Sequence, residues 1–459
     1  MAYEWLMVSV SGVRGRVGEA LTPEVIAKFA AGFGAWARSK TTTEGGRPKV
    51  VVGRDSRVSG PMFQPVVLAA LQSVGCDVID VGMAPTPTIQ LAVEHHHAAG
   101  GLAITASHNP IEWNALKFIG PSGLFLDGSE AAEMRAVVDG DIPRAKWDGL
   151  GKIETDSEAI ARHIALVLAL PFIDLDGIRR REFHVALDCV RGAGGAFMPE
   201  LLRQLGCRVS AINIETDGVF PRAPEPVPEN LGELESLVKT SGAAIGFAVD
   251  PDVDRLALVS DEGRAIGEDY TLALAAKVVL RHREGPIVTN LSTSRIIDDI
   301  AGEQGRRVVR APVGEVNVAT RMRSESAPVG GEGNGGVILT EMHLGRDAPV
   351  GAALILQLLN EEGKPLSEIV ASYPRYAIVK DKLDRPAAPL DDVYGSLRKT
   401  FADADADTQD GLRLSWTDRW VHIRPSGTEP IVRVIAEAPT RAEAEELVAK
   451  CRAPLDAMA

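Results

Sequence analysis

Four short stretches of this chain carry residue types that can do chemistry at one place. The first is I-T-A-S-H-N-P at 104–110. An apolar lead runs into Ser107, and Asn109-Pro110 follows as a turn pair that pushes the chain out of helical geometry. Ser107 is expected at a strand tip on an exposed loop, which suits a reactive hydroxyl and equally an ordinary turn serine. The second is D-P-D-V-D, with Asp250, Asp252 and Asp254 spaced by two. In an extended chain alternate residues share a face, so three carboxylates would converge. A hard divalent cation, Mg²⁺ before softer metals, relieves their repulsion; the alternative is a solvated acidic turn. An EF-hand does not fit, because its sixth position would be Arg255 and its twelfth Asp261.

The third stretch, G-G-E-G-N-G-G at 330–336, lacks the G-K-[ST] of a P-loop and the following helix of a dinucleotide turn. Glu332 and Asn334 offer a carboxylate and an amide suited to sugar hydroxyls, unless the stretch is only a hairpin turn. The fourth, R-P-S-G-T-E-P at 424–430, sets Arg424, Ser426, Gly427 and Thr428 in a proline-stiffened loop that could enclose a phosphate or make a tight hairpin. A glycine cluster at 191–196, R-G-A-G-G-A, imitates a dinucleotide turn, but Phe197 stands at its third glycine position.

These stretches need elements to hold them. Three segments repeat one order of events: strand, polar turn, helix, glycine stop, strand. They open with KVVVGRD (49–55), FHVALDC (183–189) and PIVTNLS (286–292). Short apolar strands alternating with helices imply parallel sheets covered on both faces. After each copy a further strand leads into one of the first three stretches, at the carboxyl end where open α/β sheets bind ligands. The expected fold is α/β: three related α/β domains with mixed, mostly parallel sheets, plus a smaller C-terminal α+β domain, around a central cleft. The divisions are expected at 1–150, 151–257, 258–370 and 371–459.

Composition bounds the function. The chain has 459 residues, about three or four domains' worth. A formal net charge of −14 argues against a nucleic-acid partner but not against a small phosphorylated ligand. Cys76, Cys189, Cys207 and Cys451 form no C-x-x-C pair, as in reduced cytosolic proteins. We expect no signal peptide, no membrane span and a cytoplasmic location. The histidine run at 95–97 could bind metal or mark a half-exposed helix end.

Together, the four motifs and their order resemble the α-D-phosphohexomutase family along essentially the whole chain. The resemblance implies four domains around a cleft, a transferable phosphate on Ser107, and Mg²⁺ held by Asp250, Asp252 and Asp254, with Ser107 itself as a ligand. It implies that Glu332 and Asn334 meet the sugar, joined by Arg255. Arg424, Ser426, Gly427 and Thr428 would hold the phosphate that is not reacting. Arg14 in SGVRGR and Lys117 in NALKF match positions near the reacting serine, and Lys117 and His108 are the acid/base candidates. The implied reaction passes a phosphoryl group from phosphoserine to a sugar monophosphate. A sugar bisphosphate serves as intermediate and activator, and the freed Ser107 hydroxyl takes back the other phosphate.

Departures bear on the sugar. Pro251 and Val253 replace the glycines of the family's D-G-D-G-D-R, and Asn334 and Gly336 replace the serine and histidine of its G-E-x-S-G-H. The A-S-H-N-P and R-P-S-G-T-E-P wordings lean toward the family's phosphoglucosamine mutases, with phosphomannomutase/phosphoglucomutase as the alternative. Rival classes are a Mg²⁺-dependent sugar phosphatase and a non-catalytic sugar-phosphate-binding protein. The expected partners are small sugar phosphates, with the chain a monomer or homodimer.

Overall fold

The computed structural model describes residues 6–10, 12–40, 46–385, 389–426 and 431–457. Four sheets follow one another along the chain. The first has seven strands, with Gly100–Ile104 at its heart, parallel to Lys49–Arg54 and antiparallel to Trp113–Ile119. The second sets Ile245–Val249 parallel to His184–Asp188 and antiparallel to Leu256–Val259. The third repeats that pattern, with Val329–Glu332 parallel to Ile287–Asn290 and antiparallel to Gly336–Leu339. The fourth is a five-stranded antiparallel sheet packed by the helix Arg441–Ala457. The mixed sheets and the smaller α+β end match the fold class expected from the sequence.

In each of the first three sheets, the central strand is buried along its whole length and its loop emerges at the carboxyl end. Buried aliphatic strands cannot turn a polar end inward, so the polar residues collect just beyond them. The chain leaves the first sheet after the edge strand Ile153–Thr155 and the second after Val259, a few residues past the divisions expected at 150 and 257.

Cross-links between sheets hold these loops against one another. The backbone N–H of Thr86 donates to the Asp252 carbonyl at 2.9 Å, and that of Leu256 to the Gly335 carbonyl at 3.0 Å. His163 and His343 both bond Oδ2 of Asp347, at 2.9 and 3.0 Å, where the helix Ala348–Glu362 begins. The fourth domain docks on the third through His422, whose Nδ1 meets the Ser292 hydroxyl at 2.8 Å. All four cysteines are free thiols. Among the described residues no helix is long and apolar enough to cross a membrane.

The candidate active site

Ser107 lies three residues past its strand, but its loop is not exposed: the cleft between domains covers it, leaving 4% of the residue accessible. Its φ is +49°, in the left-handed region, which costs a non-glycine residue about 1–3 kcal/mol unless its surroundings hold it there. Arg57, fully buried, supplies that hold. Its guanidinium donates to the carbonyls of Ser107, Asn109, Pro110 and Trp113 at 2.6–2.8 Å. It also pairs with Asp55 at 3.1 Å, and Thr105 donates to the same carboxylate at 2.7 Å. The whole A-S-H-N-P loop is thus strung on one arginine that belongs to none of the four motifs. Its signal was the charge-rich G-R-D-S-R directly after a buried strand.

The Ser107 hydroxyl donates to Oδ2 of Asp250 at 2.9 Å, so the first and second stretches meet. The three aspartates do converge, but not because the chain is extended. Residues 250–254 form a turn in which Val253 takes φ +62°, and the Asp250 carboxylate caps the N–H groups of Asp254 and Arg255 at 3.1 Å. A β-branched residue in that region is a true outlier. Val253 holds it because its side chain is wholly buried in the core, where the family's glycine would leave a void. Pro251 has its own counterpart: a Cβ on Gly192 would lie 2.6 Å from its Cα. The R-G-A-G-G-A cluster is therefore the packing surface for this turn.

One carboxylate oxygen from each aspartate lies within 4.8 Å of the others. Oδ1 of Asp252 and Oδ1 of Asp254 are buried without a hydrogen-bond partner. Burial, then repulsion from Asp254 and Asp252, pushes the Asp250 carboxyl well above the usual carboxylate range. Against its burial, the ammonium of Lys117 at 2.8 Å holds Asp252 below that range. Orphaned buried oxygens among crowded carboxylates fit a hard divalent cation. The histidine run shows no such arrangement: His96 pairs with Asp156 at 2.8 Å, and the aspartate triad is the one such cluster among the described residues.

Around the serine stand Arg14, bonded to Asn109 Oδ1 at 2.8 Å, and Lys117, whose strand runs beside Gly100–Ile104. His108 brings Nδ1 to 3.3 Å from the Ser107 hydroxyl. The positive charge of Arg255, then burial, lowers the His108 pKa well below the usual imidazole value, which favours the neutral ring. Arg255 itself reaches Glu225 at 3.1 Å.

The glycine-rich third stretch is a hairpin turn, and it also faces the cleft. Glu332 is 4% exposed and takes four donors: Asn290 and the Gly314 N–H on Oε1, Arg346 and, at a long 3.4 Å, Asn334 on Oε2. Against its burial, Arg346 keeps this carboxyl below the usual range.

In the fourth stretch, Arg424 reaches Asp410 at 2.9 Å, and the same carboxylate accepts from the Val313 N–H of the third domain at 3.1 Å. Arg424 lies on the strand Trp420–Pro425 and Ser426 follows directly after it, while Gly427 and Thr428 lie outside the described residues. Arg433, directly across the sheet from Arg424, lines the cleft and was not foreseen. The cleft, of about 1150 Å³, joins Arg14, Ser107, His108 and Lys117 on one wall to Arg255, Glu332 and Asn334 on another.

A serine loop set against an acidic triad, with a polar hairpin and the basic side chains of Arg14, Lys117, Arg255, Arg346 and Arg433 lining one cleft, is the arrangement of an enzyme that handles small phosphorylated ligands. The Phosphoglucomutase/phosphomannomutase family matches in four consecutive pieces. Its alpha/beta/alpha domains I, II and III fall on residues 7–142, 161–263 and 267–376, and its C-terminal domain on 377–453. The "Probable phosphoglucosamine mutase" of Methanopyrus kandleri is 38% identical, with 95% of each chain covered. The "Phosphoglucomutase/phosphomannomutase" of Thermococcus kodakarensis is 40% identical, again with 95% of each chain covered. A crystal structure of a phosphoglucomutase/phosphomannomutase family protein from Burkholderia thailandensis superposes with a TM-score of 0.83 at 27% identity, covering 98% of each chain. The chain belongs to the α-D-phosphohexomutase family, and it is a phosphohexomutase.

Proposed function

We propose that this enzyme interconverts glucosamine 6-phosphate and glucosamine 1-phosphate through a phosphoserine at Ser107. The observation that carries the reading is the 2.9 Å contact between the Ser107 hydroxyl and Asp250, which sets a nucleophile directly against the acidic triad inside a cleft. Phosphorylated Ser107 gives its phosphoryl group to the free hydroxyl of the sugar monophosphate. The P–O bond to the serine oxygen breaks, the bond to the sugar oxygen forms, and the sugar's proton passes to a neighbouring base. The bound bisphosphate turns over, Ser107 takes the other phosphoryl group, and the isomeric monophosphate leaves. At about 1150 Å³ the cleft exceeds the roughly 300–1,000 Å³ of ordinary ligand pockets, which favours a ligand that must reorient within it.

Transfer of this kind depends on positioning and charge. Asp250, Asp252 and Asp254, with a phosphate oxygen on Ser107, would hold Mg²⁺, which when bound neutralises the negative charge at the transferring group. Arg14 and Lys117 face that group. His108, neutral and 3.3 Å from the serine oxygen, is the base for the sugar hydroxyl, and Lys117 is the acid partner. Arg424, Ser426, Gly427 and Thr428 clasp the idle phosphate. Glu332, Asn334 and Arg255 meet the sugar. The substrate is a small cytoplasmic metabolite and requires no macromolecular partner.

Glucosamine is preferred because Glu332 can accept a charge-assisted bond from a protonated 2-amino group, displacing the long bond from Asn334. Such a bond is worth about 1.5–3 kcal/mol, or about one to two decades of preference. The wording of the serine and phosphate loops also leans that way. The second reading, glucose and mannose phosphates, is favoured by the 40% identical relative that carries that name and by the missing serine and histidine of the sugar loop. The test is kcat/KM for glucosamine, glucose and mannose 6-phosphates at one Mg²⁺ and one activator concentration, with inorganic phosphate release followed in parallel. The amino sugar should be turned over most efficiently without phosphate release. Faster turnover of a neutral sugar would remove the substrate assignment, and stoichiometric phosphate release would make the enzyme a phosphatase.

A further inference from the structure

We propose that Arg346 is the positioning residue that makes this cleft selective among sugars. It locks the sugar-loop carboxylate of Glu332 to the acidic-loop carboxylate of Asp254, in the volume where the family's pattern carries a histidine. The inference deepens the reading above and rests on it for the roles of Glu332 and Asp254.

Three observations support it. First, Arg346 faces the cleft yet is only 8% exposed, and its guanidinium is shared among three carboxylates. Nη2 lies 2.6 Å from Asp254 Oδ2, Nη1 2.8 Å from Glu332 Oε2, and Nε 3.1 Å from Glu315 Oε2. A planar fork can hold two carboxylates at fixed mutual geometry, which a lysine's single ammonium cannot. Second, a Cβ built on Gly336 would stand 2.3 Å from Cδ of Arg346 and 3.0 Å from its Cγ. Position 336 is where the resemblance expects histidine, so the missing side chain and the arginine stem compete for one space. Third, the backbone that carries the arginine is fixed, so its stem starts from one place. The Arg346 N–H donates to Glu315, the Asp347 N–H to the Val337 carbonyl at 2.8 Å, and the Asp347 side chain caps the next helix while receiving two histidines.

The consequence is mechanical. With Asp254 fixed by the acidic loop and Arg346 fixed by its turn, Glu332 has one orientation toward the sugar. Selection by that carboxylate is then built in before substrate arrives, and it is tied to the geometry of the metal loop.

The test uses the full-length protein as wild type, Gly336→His, Arg346→Ala, Arg346→Lys and the Gly336→His/Arg346→Ala double variant. Thermal unfolding is measured for each, with kcat and KM for the three hexose 6-phosphates and the Mg²⁺ concentration giving half-maximal rate. Gly336→His should lower Tm by several degrees in the wild-type background and far less beside Arg346→Ala. Arg346→Lys should narrow the spread of kcat/KM among the sugars by about 10-fold, chiefly through KM, and raise the Mg²⁺ requirement by about 10-fold, the equivalent of one charge-assisted bond. Equal cost of Gly336→His in both backgrounds would overturn the shared-space argument. Arg346→Lys and Arg346→Ala proteins that lose Tm but keep the wild-type sugar ratios and Mg²⁺ requirement would reduce Arg346 to a structural residue. A wild-type enzyme that turns over none of the sugars would fail the proposed reaction itself, a result separable from both.

Discussion

Replacing Arg57 by lysine should cripple the serine loop while keeping its charge. The arginine has five side-chain N–H donors, and all five are used: one on Asp55 and one each on the carbonyls of Ser107, Asn109, Pro110 and Trp113. A lysine has three, so at least two buried acceptors lose their partners. At about 2 kcal/mol for each unsatisfied buried group, the cost is about 4 kcal/mol. For a unit of this size that lowers Tm by about 8–16 °C. The kinetic loss should be larger than the stability loss suggests, because the arginine's shortest bond is to the Ser107 carbonyl, at 2.6 Å. A nucleophile displaced by an ångström loses about 100-fold in rate. Calorimetry and steady-state turnover on Arg57→Lys read the two effects separately. Unchanged Tm together with wild-type turnover would refute the claim that this arginine holds Ser107 in its left-handed conformation.

Chelation with EDTA should abolish turnover and added Mg²⁺ restore it, and Asp252→Asn should lower kcat by about 100-fold or more, measured at saturating sugar phosphate and Mg²⁺. Burial depresses the His422 pKa to about 4, below its unfolded value near 6.5. The unfolded chain therefore binds the extra proton first. Stability is full above about pH 6.5 and declines toward pH 4 by about 3 kcal/mol, since a protonated ring loses the Nδ1 acceptor that meets Ser292. Hydrogen exchange of the fourth domain should show this acid sensitivity, and His422→Asn should flatten it.

The large features were legible because they follow from patterning. Repeated apolar strands with helices between them could only be covered sheets, and each odd loop fell at a strand's carboxyl end. Asp250, Asp252 and Asp254 were readable as a cluster, although the extended-chain reason for it was mistaken. Nothing in the local sequence announces that buried Val253 turns left-handed, since that depends on a core assembled from distant elements. Ser107 was expected to be exposed for the same reason: its cover comes from other domains. Arg57 and Arg346 were missed because a buried arginine is recognised by the groups it collects, and these are distant in sequence: four carbonyls 50 to 56 residues from Arg57 and three carboxylates 14 to 92 residues from Arg346. The empty position at Gly336 was visible as a departure, but its occupant was not.

The central claim is that Ser107 carries the phosphoryl group that moves. The most direct measurement is peptide mass analysis of the active enzyme before and after a single turnover with isotopically labelled hexose phosphate, beside Ser107→Ala. The account predicts one phosphate on the peptide containing Ser107, exchange of the sugar's label into that position, and no mutase turnover by Ser107→Ala. An active enzyme whose peptide never carries or exchanges phosphate, or a Ser107→Ala enzyme with full mutase turnover, would contradict it.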